Sequence, residues 1–227
     1  MVRWPQSKPQ ATQHSLDILL SLCNLCAHSC AQFDPKMKKR FARWLLRLAG
    51  WQLEGARPDL DRYVLIAAPH TSNWDFPLML AFGAAFDIRI TWLAKHNLFF
   101  PPVGWIMRAM GGMPIIRHQS TNVVDGMVAA FKEASSLVLV VPTEGTREKT
   151  EYWKSGFYHI ARQAGVPIVP SFLDFGRKRG GFGPALEVTG DVGADMQYFR
   201  DFYLGMEGKF PDQFGPIRLR EEQSGKD

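Results

Sequence analysis

Long hydrophobic runs are missing from this chain. The longest relevant uncharged stretch, ILLSLCNLCAHSCAQF between Asp17 and Asp34, has 16 residues and includes Asn24, His28 and Gln32. A membrane-spanning helix needs about 20 mainly apolar residues, so no span is expected. The first residues, MVRWPQSKPQATQHSLD, lead into no clean apolar core with a small-residue cleavage site, and an intracellular protein is expected. Cysteine is scarce: Cys23, Cys26 and Cys30 are the only three. With His28 they spell C-x2-C-x-H-x-C, a spacing that invites a metal. On a helix, however, the three thiols share one face with Leu19 and Leu22 while His28 points elsewhere, which reads as a packed face.

Several chemistry-bearing signatures are also absent. There is no G-x-x-x-x-G-K-S/T loop and no G-x-S-x-G elbow, so nucleotide-driven phosphoryl transfer and serine-hydrolase chemistry lose their usual support. No second histidine stands at ligand spacing such as H-E-x-x-H, which weakens metal-assisted hydrolysis by His70, Asp75 and Glu144. The stretch RKRGGFGPAL lacks the setting and the third glycine of a dinucleotide fingerprint, and GGMPIIR precedes a strand instead of following one.

What is present is a chain of 227 residues, 46% hydrophobic and 22% charged, enough for one substantial core. Its net charge of +5 and pI of about 9.2 point to anionic partners. Residues 36–48, KMKKRFARWLLRL, carry six cations and no acid. Met37, Phe41, Trp44, Leu45 and Leu48 fall in an arc of about 100° at helical spacing, with most cations opposite. Such a helix either lies in a membrane interface or packs its stripe on the domain.

From Trp51 onward, apolar runs at 64–68, 90–94, 113–116, 137–141 and 166–173 read as strands. Helical patterns fall near 76–86, 101–110, 122–134 and 153–164. A last strand near 185–189, a helix near 194–206 and a loose tail EEQSGKD complete the reading. The alternation predicts an α/β domain, residues 51–227, with a largely parallel central sheet flanked by helices and an N-terminal helical segment, residues 1–50.

The stretch PHTSNWD, residues 69–75, follows the first of these strands. Five residues on a continuous helix put two side chains about 140° apart, so His70 and Asp75 pair only across a turn. Pro69 breaks regular structure, and Ser72 or Asn73 can cap a helix starting near Asp75. A carboxylate on one imidazole nitrogen would fix the tautomer and leave the other free to take a proton. A second strand exit, VVPTEGTREK, presents Glu144, Gly145, Thr146 and Arg147, the last suited to grip a phosphate. Arg117 ends a third strand, and Pro170 lies within GVPIVPSF.

In order and spacing these four pieces resemble the glycerolipid acyltransferase family, whose best-known members acylate lysophosphatidic acid. The family's H-x4-D, G-x-x-x-x-R, E-G-T-R and proline-containing blocks correspond to His70–Asp75, Gly112–Arg117, Glu144–Arg147 and Val166–Pro170. Pro69 stands where the family usually has asparagine, and Thr143 separates Pro142 from Glu144 where the two usually adjoin. The resemblance implies transfer of a fatty acyl group from an acyl-CoA or acyl-carrier-protein (acyl-ACP) thioester to a hydroxyl of a lyso-lipid. It implies His70 as base and Asp75 as its orienter. Arg117, Glu144, Gly145, Thr146 and Arg147 would bind the acceptor, and Pro170 with its apolar neighbours would border the acyl chain. No metal or cofactor beyond the thioester co-substrate is implied. The anionic partner would be a membrane surface, not nucleic acid, with the protein peripheral on the cytoplasmic face and residues 36–48 as the contact. RKRGG at 177–181 offers a second cationic contact. Relatives that acylate lyso-ornithine lipids, glycolipids and other alcohols leave the acceptor open, and a non-catalytic lipid-binding protein of the same fold is the reading from a different class.

Overall fold

The computed structural model describes residues 34–115 and 120–224. The cysteine cluster and Arg117 lie outside the described residues. Helix α1 (Pro35–Leu48) is followed by β1 (Gln52–Glu54), β2 (Arg62–Ala67), α2 (Asp75–Phe86), β3 (Ile90–Lys95), α3 (Val103–Ala109), β4 (Gly112–Ile115) and α4 (Ser120–Glu133). Then come β5 (Leu137–Pro142), α5 (Gly156–Ala164), β6 (Ile168–Asp174), β7 (Arg179–Phe182), α6 (Val192–Phe202) and α7 (Glu221–Ser224).

The seven strands form one sheet in the order β1-β7-β6-β2-β5-β3-β4. Strands β6, β2, β5, β3 and β4 run parallel, whereas β7 is antiparallel to β6 and carries β1 alongside it. Both faces are covered, so the central strands are apolar throughout and alternate between two cores. Along β2, Val64 and Ile66 face α4, α5 and α6 with Phe131, Phe157 and Phe199, whereas Tyr63 and Leu65 face α1 and α2 with Leu46, Phe82 and Ala85. Each such side chain taken fully out of water stabilises by roughly 1.5–3 kcal/mol.

The chain steps from β2 to β3 and β4 in one direction along the sheet, then returns through β5 to β6. Right-handed crossovers therefore put α2 on one face and α4 and α5 on the other. Neighbouring strands β2 and β5 thus send their exits to opposite faces. That is the switch point at which open α/β sheets leave a crevice at the strands' carboxyl ends.

Three expectations need correction. Residues 185–189 form no strand, only a single bridge from Leu186 to Ile168, because β7 already occupies the edge of β6 at Ser171–Asp174. The glycine-rich 179–182 stretch is that strand, and Arg179 is spent on Asp174 and Glu54, both at 2.9 Å. The tail begins as helix α7, where Glu222 accepts from Leu219 N (2.7 Å) and pairs with Arg200 (2.9 Å).

Helix α1 belongs to the compact unit Pro35–Asp227. A narrow seam, Ala42 and Leu46, is buried against α2, and Arg43 Nε donates to Ala85 O (3.0 Å). The wide stripe read from the sequence does not pack: Phe41 and Trp44 are 61% and 54% exposed, and Met37, Leu45 and Leu48 are exposed too.

Candidate active site

Strand β2 ends at Ala67, and the polar turn that follows brings His70 back over the start of α2. His70 Nδ1 lies 3.0 Å from Asp75 Oδ2, and the same oxygen accepts the backbone N–H of Ser72 at 2.9 Å. Asp75 is only 6% exposed. An ionised Asp75 carboxylate accepts from Nδ1–H, the tautomer that leaves the lone pair of a neutral imidazole on Nε2. Helix α2 has no side-chain cap from Ser72 or Asn73: Trp74 is its N-cap, Ser72 Oγ accepts from Trp74 N (3.1 Å), and Asp75 reaches back to the turn.

The neighbouring exit, from β5, supplies Glu144. Its side chain is fully buried, and Oε1 accepts the backbone N–H of His70 at 2.7 Å. Burial pushes its carboxyl up to about 8, the bond from His70 N–H opposes this, and the Asp75 carboxylate adds to the rise. Glu144 therefore holds its proton to a higher pH than an ordinary glutamate while its Oε1 stays on the His70 backbone. Gly145 turns the chain with φ +70°, and a Cβ there would stand 2.9 Å from Lys154 Cγ.

Two spaces open from this point. A cavity of about 1080 Å³ is lined by His70, Asp75, Gly145 and Arg147, with apolar walls that include Ala67, Phe76, Met79, Trp92 and Phe182. It is at the upper end of the range for small-molecule pockets. A cleft of about 470 Å³ is lined by Thr71–Trp74, Thr146–Glu148, Lys209, Phe210 and Gln213. The two share Asn73 and Arg147.

The fold thus brings together His70, Asp75, Glu144, Gly145, Thr146 and Arg147. Glu144, expected among the acceptor contacts, lines neither space and instead fixes the His70 backbone. Pro170 is buried in β6 opposite Ile66, and its neighbours Ser171, Phe172 and Leu173 form the cavity wall. Lys209 and Gln213 were missed by sequence reasoning. No motif surrounds them, and only the tertiary fold brings residue 209 beside Trp74, with Nζ 4.9 Å from its ring centre.

A model of the acyltransferase family matches residues 52–174. The chain is 30% identical over 122 residues to the chloroplastic 1-acyl-sn-glycerol-3-phosphate acyltransferase BAT2 of Brassica napus, covering 51% of this chain and 34% of that one. It is 29% identical over 149 residues to the 1-acyl-sn-glycerol-3-phosphate acyltransferase of Escherichia coli, 60% of each chain. The matches thus span about a third to three-fifths of these relatives' lengths. The crystal structure of the 1-acyl-sn-glycerophosphate (LPA) acyltransferase PlsC from Thermotoga maritima superposes with a TM-score of 0.52 over 85% of this chain and 91% of that one, at 16% identity. That likeness concerns the fold. With the family match covering more than half of its length and both strand exits of the site, the chain belongs to the acyltransferase family.

Proposed function

We propose that the protein transfers a fatty acyl group from an acyl-CoA or acyl-ACP thioester to a free hydroxyl of a lysophospholipid, of the 1-acylglycerol 3-phosphate kind. One observation carries this reading: an imidazole oriented by a buried carboxylate opens onto a large apolar cavity. Nε2 takes the acceptor's hydroxyl proton as that oxygen attacks the thioester carbonyl. Asp75 stabilises the imidazolium formed. Collapse of the tetrahedral intermediate breaks the C–S bond, and the leaving thiolate takes the proton back from the imidazolium. The apolar cavity suits the acyl chain, and Arg147 at its junction with the cleft suits the phosphate. The names of the relatives support the choice of acceptor.

The chain would work as a peripheral protein on the cytoplasmic face of a membrane. Support comes from the exposed stripe of α1 and from exposed Phe100, Val103, Trp105 and Ile106. No described helix is long and apolar enough to cross a bilayer.

The test is to incubate purified protein with labelled acyl-CoA or acyl-ACP and a panel of lyso-lipids, with products read by mass spectrometry. Acylated lysophosphatidic acid is expected. His70→Ala should lose on the order of 10²–10⁴-fold in rate while keeping its circular dichroism and melting curve. Near-normal turnover by the folded variant would remove the mechanism. Exclusive acylation of a neutral or ornithine lyso-lipid would reassign the acceptor.

A further inference from the structure

We propose that the strap Gly208–Gln213 completes the acceptor's headgroup site, and that Lys209 is its second cation beside Arg147, holding a phosphate monoester. The assignment rests on the acyltransferase reading above but on different residues. The strap lies beyond the 52–174 region matched by the family, so no motif of that region supplies it.

Three contacts fasten it to both strand exits. Gly208 is buried against the turn, where a Cβ would stand 2.5 Å from Thr71 Oγ1 and 3.1 Å from Pro69 Cβ. Phe210 N donates to Thr71 Oγ1 at 3.2 Å. The Gln213 amide, oriented to donate, bridges Thr71 O at 3.0 Å and Arg147 O at 2.7 Å. Between these anchors Lys209 projects beside Trp74 and lines the cleft of about 470 Å³ together with Arg147. Glu148 lines it as well, so two cations face one carboxylate and the cleft is net positive. Because Arg147 and Asn73 belong to both spaces, an anion in the cleft would sit next to the wall that carries His70. An acceptor held there by its phosphate would direct its hydroxyl toward the imidazole. A phosphate monoester suits the site because a guanidinium and an ammonium together match its double charge.

The test compares the full-length protein with Lys209→Ala and Lys209→Arg, using lysophosphatidic acid and, separately, uncharged monoacylglycerol as acceptors. For Lys209→Ala the KM for lysophosphatidic acid should rise about tenfold, as expected for one lost charge-assisted contact. kcat, the KM for the acyl donor and any use of monoacylglycerol should stay within about twofold of wild type, well inside one such contact. Lys209→Arg should restore most of the loss. An unchanged KM, an equal loss with monoacylglycerol, or a rise confined to the donor would each overturn the assignment.

A readout independent of turnover uses Trp74 fluorescence, titrated with sn-glycerol 3-phosphate and with inorganic phosphate. The expected result is a saturable change with sn-glycerol 3-phosphate that disappears in Trp74→Phe and weakens in Lys209→Ala. No saturable change, or equal affinity for inorganic phosphate, would overturn the acceptor site. Saturable headgroup binding without acylation of any lyso-lipid would sink the acyltransferase reading and leave the cleft's chemistry standing.

Discussion

Glu144 shows how one residue's role changes once its surroundings are known. As a letter in E-G-T-R it reads as a contact for the acceptor; in the fold its Oε1 accepts from His70 N, and Oε2 is buried without a described partner. The sequence could reveal the carboxylate but not its direction, because that depends on β5 lying beside β2. His70 and Asp75 were legible as a pair because they are five residues apart with Pro69 marking a break, so that a turn running into a helix start can bring them together without help from distant parts of the chain. The raised value of Glu144, about 8 against an ordinary 4.5, makes a stability prediction. Between those values the folded chain keeps a proton that the unfolded chain has released, so the stabilisation is fully present below the lower value and is lost as pH rises through the upper one. Melting temperature should therefore fall between about pH 5 and pH 8, and Glu144→Gln should flatten that fall relative to wild type. Gln keeps an oxygen to accept from His70 N and has no proton to lose. Melts recorded across the range decide it: superimposable slopes for the two proteins would mean that Glu144 does not titrate as assigned.

At the level of elements, the five parallel strands and the five longer helices after Trp51 were legible because hydrophobic period and length agree with the elements formed. Strand β1, strand β7 and the fate of 185–189 were not. Strand β7 is Arg-Gly-Gly-Phe, a composition that argues against a strand. Here glycine is required by proximity: a Cβ on Gly181 would overlap the Glu54 carbonyl of β1, and one on Gly180 would stand 2.7 Å from Phe82 Cζ. Arg179 then ties the strand to Asp174 and Glu54 across both neighbours. The alternating 185–189 stretch has the better strand pattern but finds the edge of β6 already taken. Edge occupancy is a tertiary fact that no local pattern records. Gly181→Ala should accordingly destabilise by about 1–3 kcal/mol, the usual cost of overpacking, since it meets backbone and not a yielding side chain. Urea unfolding would show it as a lower midpoint at unchanged slope. A midpoint equal to that of wild type would mean that β1 moves aside at no cost.

Across the whole molecule, two elements that expose apolar side chains have an end at the same side of the sheet as His70. Strand β1 is antiparallel to β6 and begins level with its carboxyl end, so the C-terminus of α1 comes to the same end of the sheet as His70. The segment carrying Leu98, Phe100, Trp105 and Ile106 leaves the carboxyl end of β3 and so begins there too. Lys36, Lys38, Arg40 and Arg47 are exposed around the α1 stripe. Apolar side chains flanked by cations suit contact with an anionic bilayer surface without crossing it. Helix α1 is divided into a narrow seam that packs on α2 and a wide exposed stripe, on which the membrane option depends. Phe41→Glu combined with Trp44→Glu leaves Ala42 and Leu46 in place, so the fold should be retained. Sedimentation with liposomes containing anionic lipid should then drop about tenfold or more in affinity, because two aromatic side chains leave the acyl boundary and two charges are repelled by the surface. Added salt should weaken wild-type binding, since each Lys or Arg near the surface contributes about 1 kcal/mol by screened attraction. Turnover of a short-chain, water-soluble lyso-lipid should be unaffected, because neither residue lines the cavity. If the double variant sediments as wild type does, the stripe is not the contact, and the surface around Trp105 and Ile106 becomes the one to mutate.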